Sequence, residues 1–179
     1  MLYVDLPTTE DIATLNAARA DACVSLYIPT TPLTQHIEAA RIEYRNLVKS
    51  ALAQLDETGF DKRRRARLEE GFVMLDEDDE FWRVQANSLA VLATPDRVVT
   101  FRLANKLTAM AEVSDRFHLK PLLRAVTFSH EALVLALSEN QVRLFEVLPD
   151  ATPSPIKIDA LPKDAASHAR KATLNDRSP

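Results

Sequence analysis

The chain has 179 residues, 46% hydrophobic and 27% charged, with a net charge of -4, a composition that suits a globular chain with one good core or one and a half. It excludes a membrane-spanning helix, because the longest apolar runs, Leu89 to Ala93 and Ala132 to Leu137, fall far short of the ~20 residues needed to cross. Met1 to Pro7 carries Asp5 and no basic stretch ahead of an apolar one, which argues against a secretory signal and for a cytoplasmic location.

Thr8 predicts a capped helix running to about Ala20, with Glu10 and Asp11 in its first turn. A strand follows over Ala22 to Pro29. The lone Cys23 alternates along it with Ser25 and Tyr27 and reads as a buried structural thiol, since no second cysteine exists to form an internal disulfide. A long helix is expected from about Thr34 to Glu57. Its apolar positions Ile37, Ala40, Tyr44, Leu47, Val48, Ala51 and Leu55 recur on one helical face. Gly59 closes it, and Phe60 to Asp76, with Phe60, Leu68, Phe72 and Leu75 apolar, completes an αα-hairpin.

Beyond an acidic stretch, Ser88 to Ala93 and Arg97 to Leu103 read as strands joined by Thr94-Pro95-Asp96. A third, weaker strand is expected within Lys106 to Val113, and Pro121 starts a helix reaching about Val126. The fold class is therefore α+β, with helices packed on a mixed or antiparallel sheet. A second sheet begins at Glu131: strands Glu131 to Ser138, Gln141 to Leu148 and Pro155 to Ala160, separated by Glu139-Asn140 and by a proline-rich link. The expected division is a first domain over 1–127 and a second over 128–179. A segment of about fifty residues is marginal alone, since chains of ~60 residues bury only ~60% of their unfolded surface. It needs something to lie against: the first unit, a second copy or a continuation.

Three features could carry chemistry or binding. The run Lys62, Arg63, Arg64, Arg65 and Arg67 stands opposite Arg41, Arg45 and Lys49, spaced by four along the preceding helix. Together they could offer a positive patch to a phosphate backbone. The alternative is a solvated face, with Arg63 to Arg67 paired to Glu69, Glu70 and nearby acids. The acidic string Asp76 to Glu80 lacks the ligand spacing of a calcium loop and precedes Phe81-Trp82, so it reads as helix capping. The histidines His36, His118, His130 and His168 show no metal-ligand spacing and no local nucleophile partner. Two glycines, Gly59 and Gly71, leave no glycine-rich phosphate loop. No catalytic residue, metal site or cofactor is expected.

Several segments resemble a known family when taken in order. They are Ser25 to Pro29 followed by a polar break, the helix with Arg45-Asn46-Leu47, Phe81-Trp82 before Leu89 to Thr94, and Phe117 to Leu123 before the second sheet. They are similar to bacterial relatives of archaeal and eukaryotic peptide-chain release factors. Ala132 to Val147, then Ile156 to Lys163, resembles the opening of that family's middle domain. The resemblance covers the whole chain and implies a ribosome-associated factor of release, rescue or hibernation type, with rRNA as a partner. It also implies that the second sheet is the start of an RNase H-like sheet. Release-active relatives carry a Gly-Gly-Gln tripeptide after the Leu-Pro-Lys-like strand end, whereas Asp164 to Pro179 contains no glycine. A non-enzymatic fragment or truncated form is thus expected. Asn46 to Ser50 echoes the family's Asn-Ile-Lys-Ser motif with one residue too many, yet Leu47 and Val48 already serve the apolar helix face. The competing expectation is a protein-interaction module away from the ribosome, dimerising through the exposed edge of the second sheet.

Overall fold

The computed structural model describes residues 3–127, 132–138, 140–147 and 153–158, together with 164 and 167. The chain divides into two compact units, Met1–Ser129 and His130–Pro179. Each is an antiparallel sheet, and helices join the first, so the chain is of α+β class.

The first unit opens with α1 (Thr9–Ala17), whose cap is the expected Thr8. Its hydroxyl accepts from the Asp11 amide at 3.1 Å while the Asp11 carboxylate accepts from the Thr8 amide at 2.9 Å. This reciprocal box satisfies two donors that the first helical turn would otherwise leave open. A 3-10 turn, Thr34–His36, leads into α2 (Ile37–Glu57). Gly59 ends α2 at φ +69. The Phe60 amide reaches the Leu55 carbonyl and the Gly59 amide reaches that of Asp56, each at 3.2 Å, which is the Schellman pattern that left-handed glycine permits. The next helix, α3 (Lys62–Glu77), starts two residues later than expected, because the Asp61 side chain takes the Arg64 amide and fixes the first turn there. Phe60 therefore lies in the turn. Asp78 caps the short α4 (Asp79–Arg83) in the same way, so this part of the acidic string acts as helix-capping charge, as expected.

The first sheet has the order β3-β2-β1-β4, from β1 (Cys23–Pro29), β2 (Ser88–Thr94), β3 (Arg97–Leu103) and β4 (Met110–Ser114). The last strand runs one residue past its expected end. It pairs with β1, so that Leu26 lies between Val91 and Ala111. Both faces are covered. Val24, Leu26, Ile28, Leu89 and Val91 pack under α2, α3 and Trp82. On the reverse, Tyr27, Ala90, Leu92 and Phe101 pack with Leu15 of α1 and Leu122 of α5 (Lys120–Thr127). Double coverage explains why β1 and β2 read as nearly continuous apolar runs, broken in β1 only by Ser25, rather than alternating ones. Two polar groups of β1 pin the loop ahead of α5: the Tyr27 hydroxyl donates to the His118 carbonyl at 2.6 Å, and the His118 amide donates to the Ser25 hydroxyl at 2.9 Å.

The outer edge of β3 is met by the chain's own start. The Asp5 amide donates to the Arg102 carbonyl at 2.8 Å, and the Asp5 carboxylate stands 3.5 Å from the Arg102 guanidinium. That guanidinium lies between the rings of Tyr3 and Phe81, 5.1 Å and 4.3 Å from their centroids.

In the second unit β5 (Ala132–Ser138), β6 (Gln141–Val147) and β7 (Ser154–Ile156) form an antiparallel meander. The third strand is shorter than expected, with Pro155 in the middle of a three-residue edge strand. Glu131, Glu139, Leu148, Asp159, Ala160, His130 and His168 lie outside the described residues. Register places Leu133, Leu135 and Leu137 on one face with Val142 and Leu144 of β6, and all of β5 is exposed.

Candidate functional site

The cations singled out in the sequence all stand on the α2–α3 hairpin, and the structure divides them into two groups. Five guanidiniums are engaged by carboxylates. Arg41, only 14% exposed, bridges to Asp79 at 2.8 Å and to Asp76 at 3.7 Å, and its Nη2 donates to the Asp76 carbonyl. Arg45 donates through Nε to Asp76 at 2.8 Å. Arg65 holds Asp56 at 2.6 Å and Glu69 at 2.8 Å. Arg64 pairs with Asp21, and Arg67 with Asp96 at 3.3 Å. These contacts raise the pKa of Arg45 and Arg65, chiefly through the hydrogen bonds to Asp76 and Asp56.

Lys49, Lys62 and Arg63 are exposed and make no ion pair among the described residues. Lys62 and Arg63 are the first two residues of α3, immediately beyond the Gly59 turn, so they stand at the hairpin's tip. Lys49 stands midway along α2 on the rim of a groove between the two helices, of about 470 Å³. Tyr44, Val48, Leu52 and Phe72 line it with apolar surface. The Arg45–Asp76 and Arg65–Asp56–Glu69 clusters also line it and tie α2 to α3. The hairpin is further fixed from beneath, where the buried Tyr44 hydroxyl donates to the Phe72 carbonyl at 2.9 Å. Asn46 to Ser50 lies mid-helix in α2, and Leu47 and Val48 pack against the core, which is the structural role their periodicity implied.

What this arrangement offers is charge and shape. Among the described residues no three His, Cys, Asp or Glu side chains are grouped to hold a metal. Cys23 is buried, and burial raises its pKa, so it is held as a thiol. The pairing of Arg65 with Glu69 and the nearby Asp56 follows the solvated-face alternative read from the sequence, whereas the sequence did not disclose the pairs to Asp21, Asp76 and Asp96, acids that lie far from their partners along the chain.

Residues 129–179 match the model of bacterial archaeo-eukaryotic release factor family 11. That segment of the chain is release-factor-like. The match bears out the resemblance read from Ala132 to Val147 and Ile156 to Lys163. Among solved structures, an archaeal protein is similar at 16% identity and TM-score 0.46, covering 87% of this chain and 45% of its own length. The crystal structure of an archaeal translation termination factor is similar at 17% identity and TM-score 0.43, covering 82% and 41%. The chain thus spans less than half the length of either. No curated protein matches it in sequence. Among the described residues no helix is long and apolar enough to cross a membrane.

Proposed function

We propose that the chain works at the ribosome as a factor of release, rescue or hibernation type, meeting rRNA through the tip and outer face of the α2–α3 hairpin. The observation that carries this reading is the release-factor family match over residues 129–179. Lys49, Lys62 and Arg63 are the cations with no carboxylate to leave, and they would lead the contact with phosphate. Arg41, Arg45, Arg64, Arg65 and Arg67 would have to exchange a carboxylate for a phosphate, which lowers the gain from each. The role is non-enzymatic in this proposal, and no cofactor enters it. The Gly-Gly-Gln tripeptide that the resemblance ties to hydrolysis has no counterpart in residues 164–179.

Co-sedimentation with bacterial ribosomes across a salt series tests the proposal. Binding that weakens as salt rises, and weakens further when Lys49, Lys62 and Arg63 are neutralised, is the expected result. Absence of binding at low salt would overturn it.

A second reading is favoured by the exposure of β5, whose seven residues carry no charge and include Leu133, Leu135 and Leu137 at 67%, 48% and 71%. An uncharged, exposed edge strand is a ready template for another strand. Under this reading the chain is an interaction module that dimerises through β5. A dimer that persists on dilution in gel filtration supports it, and a monomer at all concentrations counts against it.

A further inference from the structure

We propose that the outer edge of β3 at Arg102 is a recognition site for an extended peptide with an aromatic residue two places before a carboxylate, and that residues 3–5 occupy it as a displaceable strap. Three observations lead there. Arg102 is held with its guanidinium against the Phe81 ring at 4.3 Å and only 13% exposed, so one wall of the site is fixed by the folded core of the unit. The opposite wall is Tyr3, which is 52% exposed and followed by the exposed Val4 and Leu6. Residues two apart on an extended segment share a face, which is how Tyr3 and Asp5 reach the same guanidinium.

The occupant fits imperfectly. Arg102 Nε is buried with no hydrogen-bond partner, and the Asp5 carboxylate stands at 3.5 Å from Nη1, beyond a good hydrogen bond. A guanidinium presents Nε and Nη as a fork that a carboxylate can grip at two points. A peptide free of the short link to Pro7 and the Thr8 cap could place its carboxylate side-on, across Nε and the neighbouring Nη2, which now reaches only the Phe81 carbonyl at 3.4 Å, while adding backbone hydrogen bonds to β3. Strand addition with side-chain readout at alternate positions is an established mode of peptide recognition. The strap makes a single backbone hydrogen bond to the edge among the described residues, so a competitor has little to displace.

The test uses the 179-residue chain and a labelled peptide of residues 1–7 (MLYVDLP) followed by fluorescence anisotropy. Apparent affinity scales with the fraction of sites left open by the strap. A chain carrying Tyr3→Ala and Asp5→Asn should bind more tightly than the unaltered chain, by the inverse of the fraction of time the strap leaves the site open. Arg102→Ala should abolish binding. Arg102→Lys keeps the charge, loses the fork, and should weaken binding severalfold, covering the case in which the alanine variant fails to fold. Equal affinity for the strap variant and the unaltered chain, no binding by the strap variant, or undiminished binding by Arg102→Lys would each overturn the proposal.

Discussion

Raising the pH above about 10 should destabilise the first unit through its two buried tyrosines. Burial drives the pKa of Tyr27 and Tyr44 well above the ordinary phenol value, and the nearby Asp76 carboxylate pushes Tyr44 further the same way. Both hydroxyls also donate to carbonyls, Tyr27 to His118 at 2.6 Å and Tyr44 to Phe72 at 2.9 Å, and a phenolate could make neither bond. The native state therefore keeps both protons, while the unfolded state releases them near pH 10. Their contribution is fully present below that pH and is lost as pH rises above it. Each group shifts the folding equilibrium about tenfold per pH unit, so the pair gives about a thousandfold, or ~4 kcal/mol, between roughly pH 10 and 11.5. A domain of ordinary stability holds only about 5–15 kcal/mol. Absorbance at 295 nm should show both tyrosines ionising together with the loss of circular dichroism, and Tyr44→Phe should reduce the steepness by one proton. Ionisation of both groups while the dichroism stays native would refute the reasoning.

Neutralising Lys49, Lys62 and Arg63 together should reduce the log-log salt slope of ribosome binding by about 2, at roughly 0.7 per phosphate contact on single strands, and leave the melting temperature unchanged. By contrast, Arg41→Gln removes the bridges to Asp76 and Asp79 and should cost about 1–3 kcal/mol of stability by urea unfolding. The Cβ of Gly71→Ala would fall 2.9 Å from the Val98 Cγ2; overpacking of about 1–3 kcal/mol should outweigh the ~1 kcal/mol gained in helix propensity, and Val98→Ala should restore stability in a double-mutant cycle. Hydrogen bonds from Thr8 hold the Asp11 carboxyl below its ordinary value, so the α1 cap is present above the ordinary carboxylate pKa and lost as pH falls through the depressed one. Amide exchange in α1 should rise on acidification, and Thr8→Ala should cost about 1 kcal/mol and remove that pH dependence.

Local chemistry made most of this fold legible. The apolar face of α2 and the glycine after it were enough to place a hairpin, and the Asp61 cap accounts for the two-residue error at the start of α3. What escaped is non-local. The second helical layer, α1 and α5, was written in the nearly continuous apolar runs of β1 and β2, which only a sheet buried on both faces requires. The placement of β4 beside β1 has no signal in either strand alone. The hairpin patch was legible as a set of charges and illegible as an electrostatic surface, because Arg64 finds Asp21 and Arg67 finds Asp96 only once the chain is folded.

That folding of acids onto the basic hairpin changes what the patch can do. Eight cations facing solvent would bind polyanions indiscriminately and lose that binding steeply with salt. With five guanidiniums turned to Asp21, Asp56, Asp76, Asp79 and Asp96, the long-range field of the hairpin is largely cancelled. Among the described residues the hairpin's cations left without an ion pair are Lys62 and Arg63 at the tip and Lys49 beside the groove. The Arg45–Asp76 and Arg65–Asp56 pairs tie α2 to α3, holding Lys62 and Arg63 on a braced turn rather than a loose one. A contact made this way would favour a phosphate arrangement that fits the tip over a simple excess of negative charge, which is what the proposed ribosomal role would require on an RNA surface charged everywhere.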